Sequence, residues 1–317
     1  MSRVVLTVLL LAFAPALAVT PAGYVGRLGV GLDVNWANFR WAMRAFDERA
    51  PRDLARMGFD HVRIRASRPA TGDYLDHLER VVKSSLAAGL RPILAYDGGR
   101  LNEAPGPAAL GEAVAWWRAV AARFAGYPDE LAFDLYIEPA KAMNQRPDLL
   151  LAYYREAIAA IRKTNPTRLL FLAPRYAASP AYLPELEPLF ASDPHLAAES
   201  HFYAAGPSKT KPAKRWTTGA PAERRRVQQL IDQIVAWRER TGVPVWQGAW
   251  MPGNYNKGNE YAVSEQVAFA TFMACRLRAA NVPYAVNADQ HFYDLKRLRW
   301  REAMLPVVRA LVRPDCP

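Results

Sequence analysis

Leu131-Ala132-Phe133-Asp134-Leu135-Tyr136-Ile137-Glu138-Pro139 reads as a short apolar strand that runs directly into a carboxylate and a proline. Helical segments flank it: Gly111–Ala125 before and Asp148–Lys163 after, each with Leu, Ala, Val or aromatic residues on one face. A short apolar run between two such helices is the pattern of a buried parallel strand. Working outward, the same alternation places strands near Leu28–Asn35, His61–Arg65, Arg91–Tyr96, Arg168–Ala173, Leu196–Phe202, Val243–Gly248 and Pro283–Ala288. Further helices fall near Asp73–Ala88, Ala222–Thr241 and Tyr261–Ala280. Eight strand–helix alternations with little left over predict an α/β fold, a single (β/α)8 TIM barrel spanning 22–317. An open doubly wound sheet is the main rival, but no Gly-rich phosphate turn follows the first strand.

Composition supports one continuous globular domain, without low-complexity runs or a Ser/Gly-rich linker. At the amino end, basic Arg3 precedes an apolar stretch from Val4 to Ala18 with small residues at Ala16 and Ala18. This is the pattern of a secretory signal peptide over 1–18, so a secreted or periplasmic location is expected. No later stretch is long and apolar enough to cross a bilayer.

The formal net charge is +11, and much of the excess lies between Lys209 and Arg226. Export and the lack of any nucleic-acid motif argue against nucleic acid as the partner. An acidic polysaccharide or an anionic envelope surface fits better, and a solvated basic loop followed by an amphipathic helix fits equally well. Cys275 and Cys316 fall in the seventh helix and just past the eighth. A bridge pinning the tail and two separate thiols are both open at this level. No pair of Cys or His has metal-ligand spacing, so no metal is expected, nor any other cofactor. A monomer is expected.

In such a barrel the chemistry gathers where strands end and loops begin. Standing there are Asp33 and Asn35, Arg63 and Arg65, Tyr96 and Asp97, Glu138, Arg175 and Tyr176, His201 and Tyr203, Gln247 to Trp250, and Asn287 to His291. This ring is rich in carboxylates and aromatics, with more aromatics beside charged groups than random loop ends would supply.

The run from Arg123 to Pro139 closely resembles the fourth-strand signature of glycoside hydrolase family 5, the cellulase-like family, where the strand ends in Asn-Glu-Pro and the Glu is the acid/base. Other blocks agree in order: Gly31-Leu32-Asp33-Val34-Asn35, Met57-Gly58-Phe59-Asp60-His61-Val62-Arg63-Ile64, Gly89-Leu90-Arg91-Pro92-Ile93-Leu94, and His201-Phe202-Tyr203 followed by a loop carrying Trp216. The closing run from Phe292 to Trp300 fits the family's last loop and helix. The likeness covers nearly the whole chain after the leader, and its order of motifs is more specific than any one of them.

The resemblance implies an oligo- or polysaccharide ligand, a β-glucan or exopolysaccharide, with Glu138 in the acid/base position. It also places Asn35, Arg63, Asp97, His201, Tyr203, Trp216, Gln247, Trp250, Asn287 and Asp289 around the sugar. Trp36, Trp41 and Trp246 are further candidate stacking platforms. The departures carry equal weight. Aligning Gly242-Val243-Pro244-Val245-Trp246-Gln247-Gly248-Ala249-Trp250 with the seventh-strand motif puts Ala249 at the nucleophile position. Ile137 replaces the family's Asn, Asp97 its third-strand His, and Asn287 falls near its eighth-strand Trp.

Retaining hydrolysis needs two carboxyls about 5 to 5.5 Å apart, whereas an inverting route needs a water-activating carboxylate at about 6.5 to 9.5 Å. A methyl group cannot attack an anomeric carbon, so Asp289, Asp33 and Asp97 are the remaining candidates for a second carboxyl. Glu199 is expected one layer below His201 on the same strand face. Residual or inverting hydrolysis and pure carbohydrate binding both remain open, as does a partner-binding barrel acting through the Lys209–Arg226 segment.

Overall fold

A computed structural model describes residues 19–202, 207–255 and 258–316. The expected leader over 1–18 and the candidate Tyr203 lie outside these residues. The eight expected strands form one closed parallel barrel in chain order. They are β1 (Val30–Val34), β2 (His61–Ala66), β3 (Arg91–Tyr96), β4 (Ala132–Asp134), β5 (Leu170–Leu172), β6 (Leu196–His201), β7 (Val245–Trp250) and β8 (Tyr284–Val286). β8 closes on β1, with Gly31 opposite Ala285. The ordered strands are one to three residues shorter at several ends than the apolar runs in the sequence, because the ladder stops where a strand loses its neighbour.

Alternation along each strand sorts the side chains into two environments. Leu32 and Val34, Val62 and Ile64, and Leu170 and Leu172 face outward into a core shared with the helices. Ile93, Ala132, Phe171, Ala197, Trp246 and Ala285 face inward, over Tyr24, Val25 and Leu28. The short helix Pro21–Val25 carries Tyr24, whose hydroxyl donates to the Glu130 carbonyl at 2.9 Å. It plugs the amino end of the barrel.

Gly31 is required by a close approach, since a Cβ there would stand 2.1 Å from the His61 ring. That imidazole is buried, bonded through Nδ1 to the Leu28 carbonyl at 2.7 Å, and burial lowers its pKa to about 3. It is therefore a neutral filler, packed edge-on against Trp246. Above this apolar floor the inward positions become polar: Asp33, Arg63, Asp134 and Glu199 are all buried. This layer supports the mouth.

At the other end of the chain, Cys275 and Cys316 form a disulfide with Cα atoms 5.5 Å apart. It ties the tail after the helix Leu305–Val312 to the helix Val263–Ala279. The sequence left this pairing open, and only the docking of the last helix brings the two sulfurs together.

Candidate functional site

The chain leaves β4 at Asp134 but stays anchored: Leu135 N donates to the Phe171 carbonyl at 3.1 Å and Ile137 N to the Tyr96 carbonyl at 3.0 Å. These bonds carry the backbone up to the rim, so that Glu138 is the first side chain on this path to reach solvent, with a third of it exposed. Its Oε1 accepts from His201 Nδ1 at 2.8 Å. The other ring nitrogen of His201 meets Glu199 Oε1 at 2.6 Å. Glu199 does lie one layer below His201, fully enclosed.

Beneath this pair sits Arg63. Its Nε and Nη2 grip the two oxygens of Asp33 at 2.8 and 2.5 Å, while Nη1 donates to Glu199 at 2.5 Å. Asp134 Oδ2 lies 3.5 Å from the same Nη1. Arg63 also lies over the Trp246 ring, 5.6 Å from its centroid. Its donors are spent on carboxylates and it is buried, so the sequence expectation of a sugar contact at Arg63 is corrected: it positions the site from below.

The charges follow from these contacts. Burial disfavours a charged His201, but Glu199 and the hydrogen bonds to Glu138 and Glu199 outweigh it, and its pKa is raised. Both ring nitrogens then donate, and Glu199 Oε1 receives His201 and Arg63 together, which explains why His201 Nε2 and Arg63 Nη1 stand only 3.0 Å apart. Burial would also raise Glu138, yet the bond and charge of His201, helped by Arg63 and Arg65, hold this carboxyl below its ordinary value. Asp134 goes the other way: burial and the charge of Glu199 lift it well above the usual carboxylate range. Glu199 Oε2 meets no donor among the described residues.

β7 closes the site with an irregularity. Ser200 lies opposite Gln247 but His201 lies opposite Ala249, and toward β8 the register slips again between Gln247 and Trp250. One extra residue, Gly248, is therefore inserted, a β-bulge of the kind that re-aims side chains at barrel rims. A Cβ on Gly248 would stand 1.9 Å from Glu199 Oε1 and 2.7 Å from His201 Nε2. Ala249 is buried in the register position beside His201.

The bulge also corrects the expectation for Gln247. Its Oε1 accepts from Ser200 Oγ at 3.0 Å and its Nε2 donates to the Ala249 carbonyl at 3.0 Å, with the side chain fully buried. Ser200 alternates with the inward Glu199 and His201, so Gln247 faces the helices. Its amide satisfies the bulge.

The remaining candidates spread around the mouth. Asn35 donates from both N and Nδ2 to Asp289 Oδ1, at 3.3 and 3.4 Å, and both residues are buried. Burial lifts Asp289 to about 6, above the Asn35 bonds that oppose it. Asp97 caps the turn at Gly99 N at 3.1 Å, and burial raises it. Asn287 is half-buried, its N–H bonded to the Trp250 carbonyl at 2.9 Å.

Trp216 and Trp250 are 1% and 0% exposed and pack on Phe269 in the helix layer. A wholly enclosed indole offers no face to a sugar, so their expected stacking role is corrected, as it is for the buried Trp36 and Trp246. Among the described residues the exposed large apolar side chains are instead Phe39, Trp41, Tyr176 and Tyr255. All four follow carboxyl ends of strands, and Phe39 with Trp41 and Tyr176 with Tyr182 form stacked pairs. Tyr255 lies flat on His291, ring centroids 3.7 Å apart.

The sequence flagged Tyr176 and Trp41 but gave no reason to prefer them over the enclosed tryptophans. Lys214 was missed altogether except as part of the basic segment. It is half-buried, its pKa lowered by burial and by Lys211, and the charge of Glu138 acts on it in the opposite sense. Among the described residues no group of three or more His, Cys, Asp or Glu could hold a metal ion, and no helix is long and apolar enough to cross a membrane.

The sequence profile of the cellulase family, glycosyl hydrolase family 5, matches residues 29–289. Endoglucanase H of Acetivibrio thermocellus is 26% identical over 298 residues, covering 87% of this chain. The match spans only 32% of that longer protein. Among solved structures, endoglucanase Cel5A of Thermotoga maritima superposes with a TM-score of 0.78 at 17% identity, over 92% of this chain and 100% of the other. The cellulose synthase subunit Z of Clostridioides difficile superposes with a TM-score of 0.75 at 21% identity, over 90% and 100%. At these identities the superpositions bear on the fold.

Proposed function

This chain belongs to glycosyl hydrolase family 5, and from that premise we propose that it is exported and binds a β-glucan or exopolysaccharide without cleaving it by double displacement. The observation that carries the reading is the pairing of Ala249 with His201, whose ring holds Glu138. In a retaining centre two carboxyls face each other, one ionised to attack and the other kept protonated by its neighbour's charge. Here the position beside His201 offers a methyl group. No carboxylate among the described residues acts on Glu138 to keep it protonated, and His201 pulls its pKa down instead. A carboxylate ionised at neutral pH is a hydrogen-bond acceptor for sugar hydroxyls and a poor general acid.

The exposed aromatics around the mouth, Phe39, Trp41, Tyr176 and Tyr255, support the binding half of the proposal. Flat rings beside polar groups match the alternating apolar and hydroxylated faces of pyranose units. The name of the endoglucanase relative points to a glucan as the first ligand to try.

The test compares binding and cleavage of soluble β-glucan oligosaccharides by wild type, Glu138→Gln and Ala249→Glu. Wild type and Glu138→Gln should bind without turnover. Ala249→Glu should gain hydrolysis with retained anomeric configuration, because the new carboxylate supplies a nucleophile and raises Glu138 by like charge. Wild-type turnover abolished by Glu138→Gln would overturn the binding reading in favour of hydrolysis through another carboxylate.

A further inference from the structure

A cavity of about 810 Å³ lies beside the mouth, walled by the loop after β8 and by the residues that follow β1. Its size suits a sugar unit or two rather than a solvent gap. Asp289 forms its inner edge, and because Asn35 bonds to Asp289 the cavity adjoins the ring of polar groups around Glu138. The outer wall contains Trp41, Asp294, Lys296, Arg297 and Arg301.

The charges in this wall do not cancel. Asp294 is committed to Arg297, Oδ2 to Nη1 at 3.0 Å, and also accepts from the Lys296 and Arg297 backbone N–H groups. Asp289 is buried at the inner edge and turned toward Asn35, away from the cations of the outer wall. Lys296 and Arg301 are both exposed, and neither joins an ion pair among the described residues. Lys296 Nζ stands 5.9 Å from the centroid of the Trp41 ring, which is 36% exposed. Arg301 uses Nε on the Gln290 carbonyl at 3.0 Å, which fixes the guanidinium while its terminal nitrogens meet no acceptor among the described residues.

An indole with Lys296 over its ring, on a cavity wall shared with Arg301, is a recognition surface for a ring that carries a negative charge. We propose that this cavity binds an anionic sugar unit of the glycan, its ring face on Trp41 and its carboxylate between Lys296 and Arg301. The inference rests on the glycan-binding reading and adds the substrate class: a uronate-bearing polysaccharide in place of a neutral glucan. The chain's net charge of +11 acts in the same direction, drawing a polyanion toward the mouth at low ionic strength.

The matched probes are a β-1,4-linked glucuronate tetrasaccharide and cellotetraose, which differ only in a carboxylate for a hydroxymethyl group on each ring. Calorimetric titration of the full-length protein at low salt should give about ten-fold tighter binding of the glucuronate, an advantage that shrinks as salt screens the charges. The double variant Lys296→Ala/Arg301→Ala should abolish that preference, so that the glucuronate binds no tighter than cellotetraose, and Trp41→Ala should weaken both ligands. Equal binding of the two probes by wild type, or an undiminished preference in the double variant, overturns the anionic-sugar assignment and leaves the glycan reading standing. Binding of neither probe overturns both.

Discussion

Gly248 lies so close to Glu199 that a Cβ added to it would stand 1.9 Å from Oε1 of that carboxylate. The contact decides the state of the site, because Glu199 keeps His201 charged and His201 in turn holds Glu138. Gly248→Ala should therefore displace Glu199. Overpacking alone costs about 1–3 kcal/mol, and loss of the Glu199 contact should lower the His201 pKa as well. Denaturant unfolding measures the first effect, and NMR titration of the His201 imidazole the second. Unchanged values for both would show that β7 shifts to admit the methyl group.

The ion pair between His201 and Glu138 has a defined pH window. Glu138 is held below its ordinary value of 4.5, so its contribution to stability is fully present above that pH and is lost as pH falls through the lowered value. His201 is raised above its ordinary 6.5, so its contribution is fully present below that pH and is lost as pH rises through the raised value. The pair therefore contributes most between those ordinary values. Burial raises Asp33 and Asp134 and tilts the whole curve toward acid, so the informative quantity is the difference in unfolding free energy between wild type and His201→Asn. That difference should peak at mildly acidic pH; a difference flat across the range would contradict the assigned charges.

Arg63 is the only described cation that reaches Asp33, Asp134 and Glu199 together. Its removal leaves buried carboxylates uncompensated, and Arg63→Ala should cost about 3–5 kcal/mol. Arg63→Lys should restore little, because an ammonium cannot grip both Asp33 oxygens while reaching Glu199. Thermal and chemical melts of the two variants give the comparison, and a Lys variant as stable as wild type would count against the forked geometry.

The Cys275–Cys316 bridge closes a loop across 41 positions. Chain-entropy arguments assign a loop of that length about 4 kcal/mol. Cys275→Ser should lose up to that amount and should release the tail to limited proteolysis after the helix Leu305–Val312. The surroundings of the bridge, Arg224, Ala268, Thr271, Phe272, Arg276 and Ala279, include neither Glu138 nor His201, so glycan binding should survive. A variant as stable and as protease-resistant as wild type would mean that the tail is held by packing alone.

How far the sequence reached can be judged residue by residue. The inward positions Asp33, Arg63, Glu199 and His201 were legible because a strand alternates with period two, and Glu138 because its motif fixes it at a strand end. That logic stops at Gly248. One inserted residue breaks the parity of β7, so Gln247, read as facing the sugar, turns to Ser200 and the helices. The tryptophans failed for a related reason: an indole at a strand end or in a following loop can face either solvent or a helix, and Trp216 and Trp250 face Phe269.

The sequence by itself determined the eightfold alternation, the barrel, and the placing of Glu138 and His201 at its mouth, since these follow from local periodicity repeated along the chain. The tertiary structure alone decided what depends on segments far apart meeting: the charge on His201, the lowered pKa of Glu138, the Cys275–Cys316 bridge, and the cavity where Lys296 meets Trp41. Proton affinity and pocket shape are properties of a shared environment, and no single stretch of chain contains that environment.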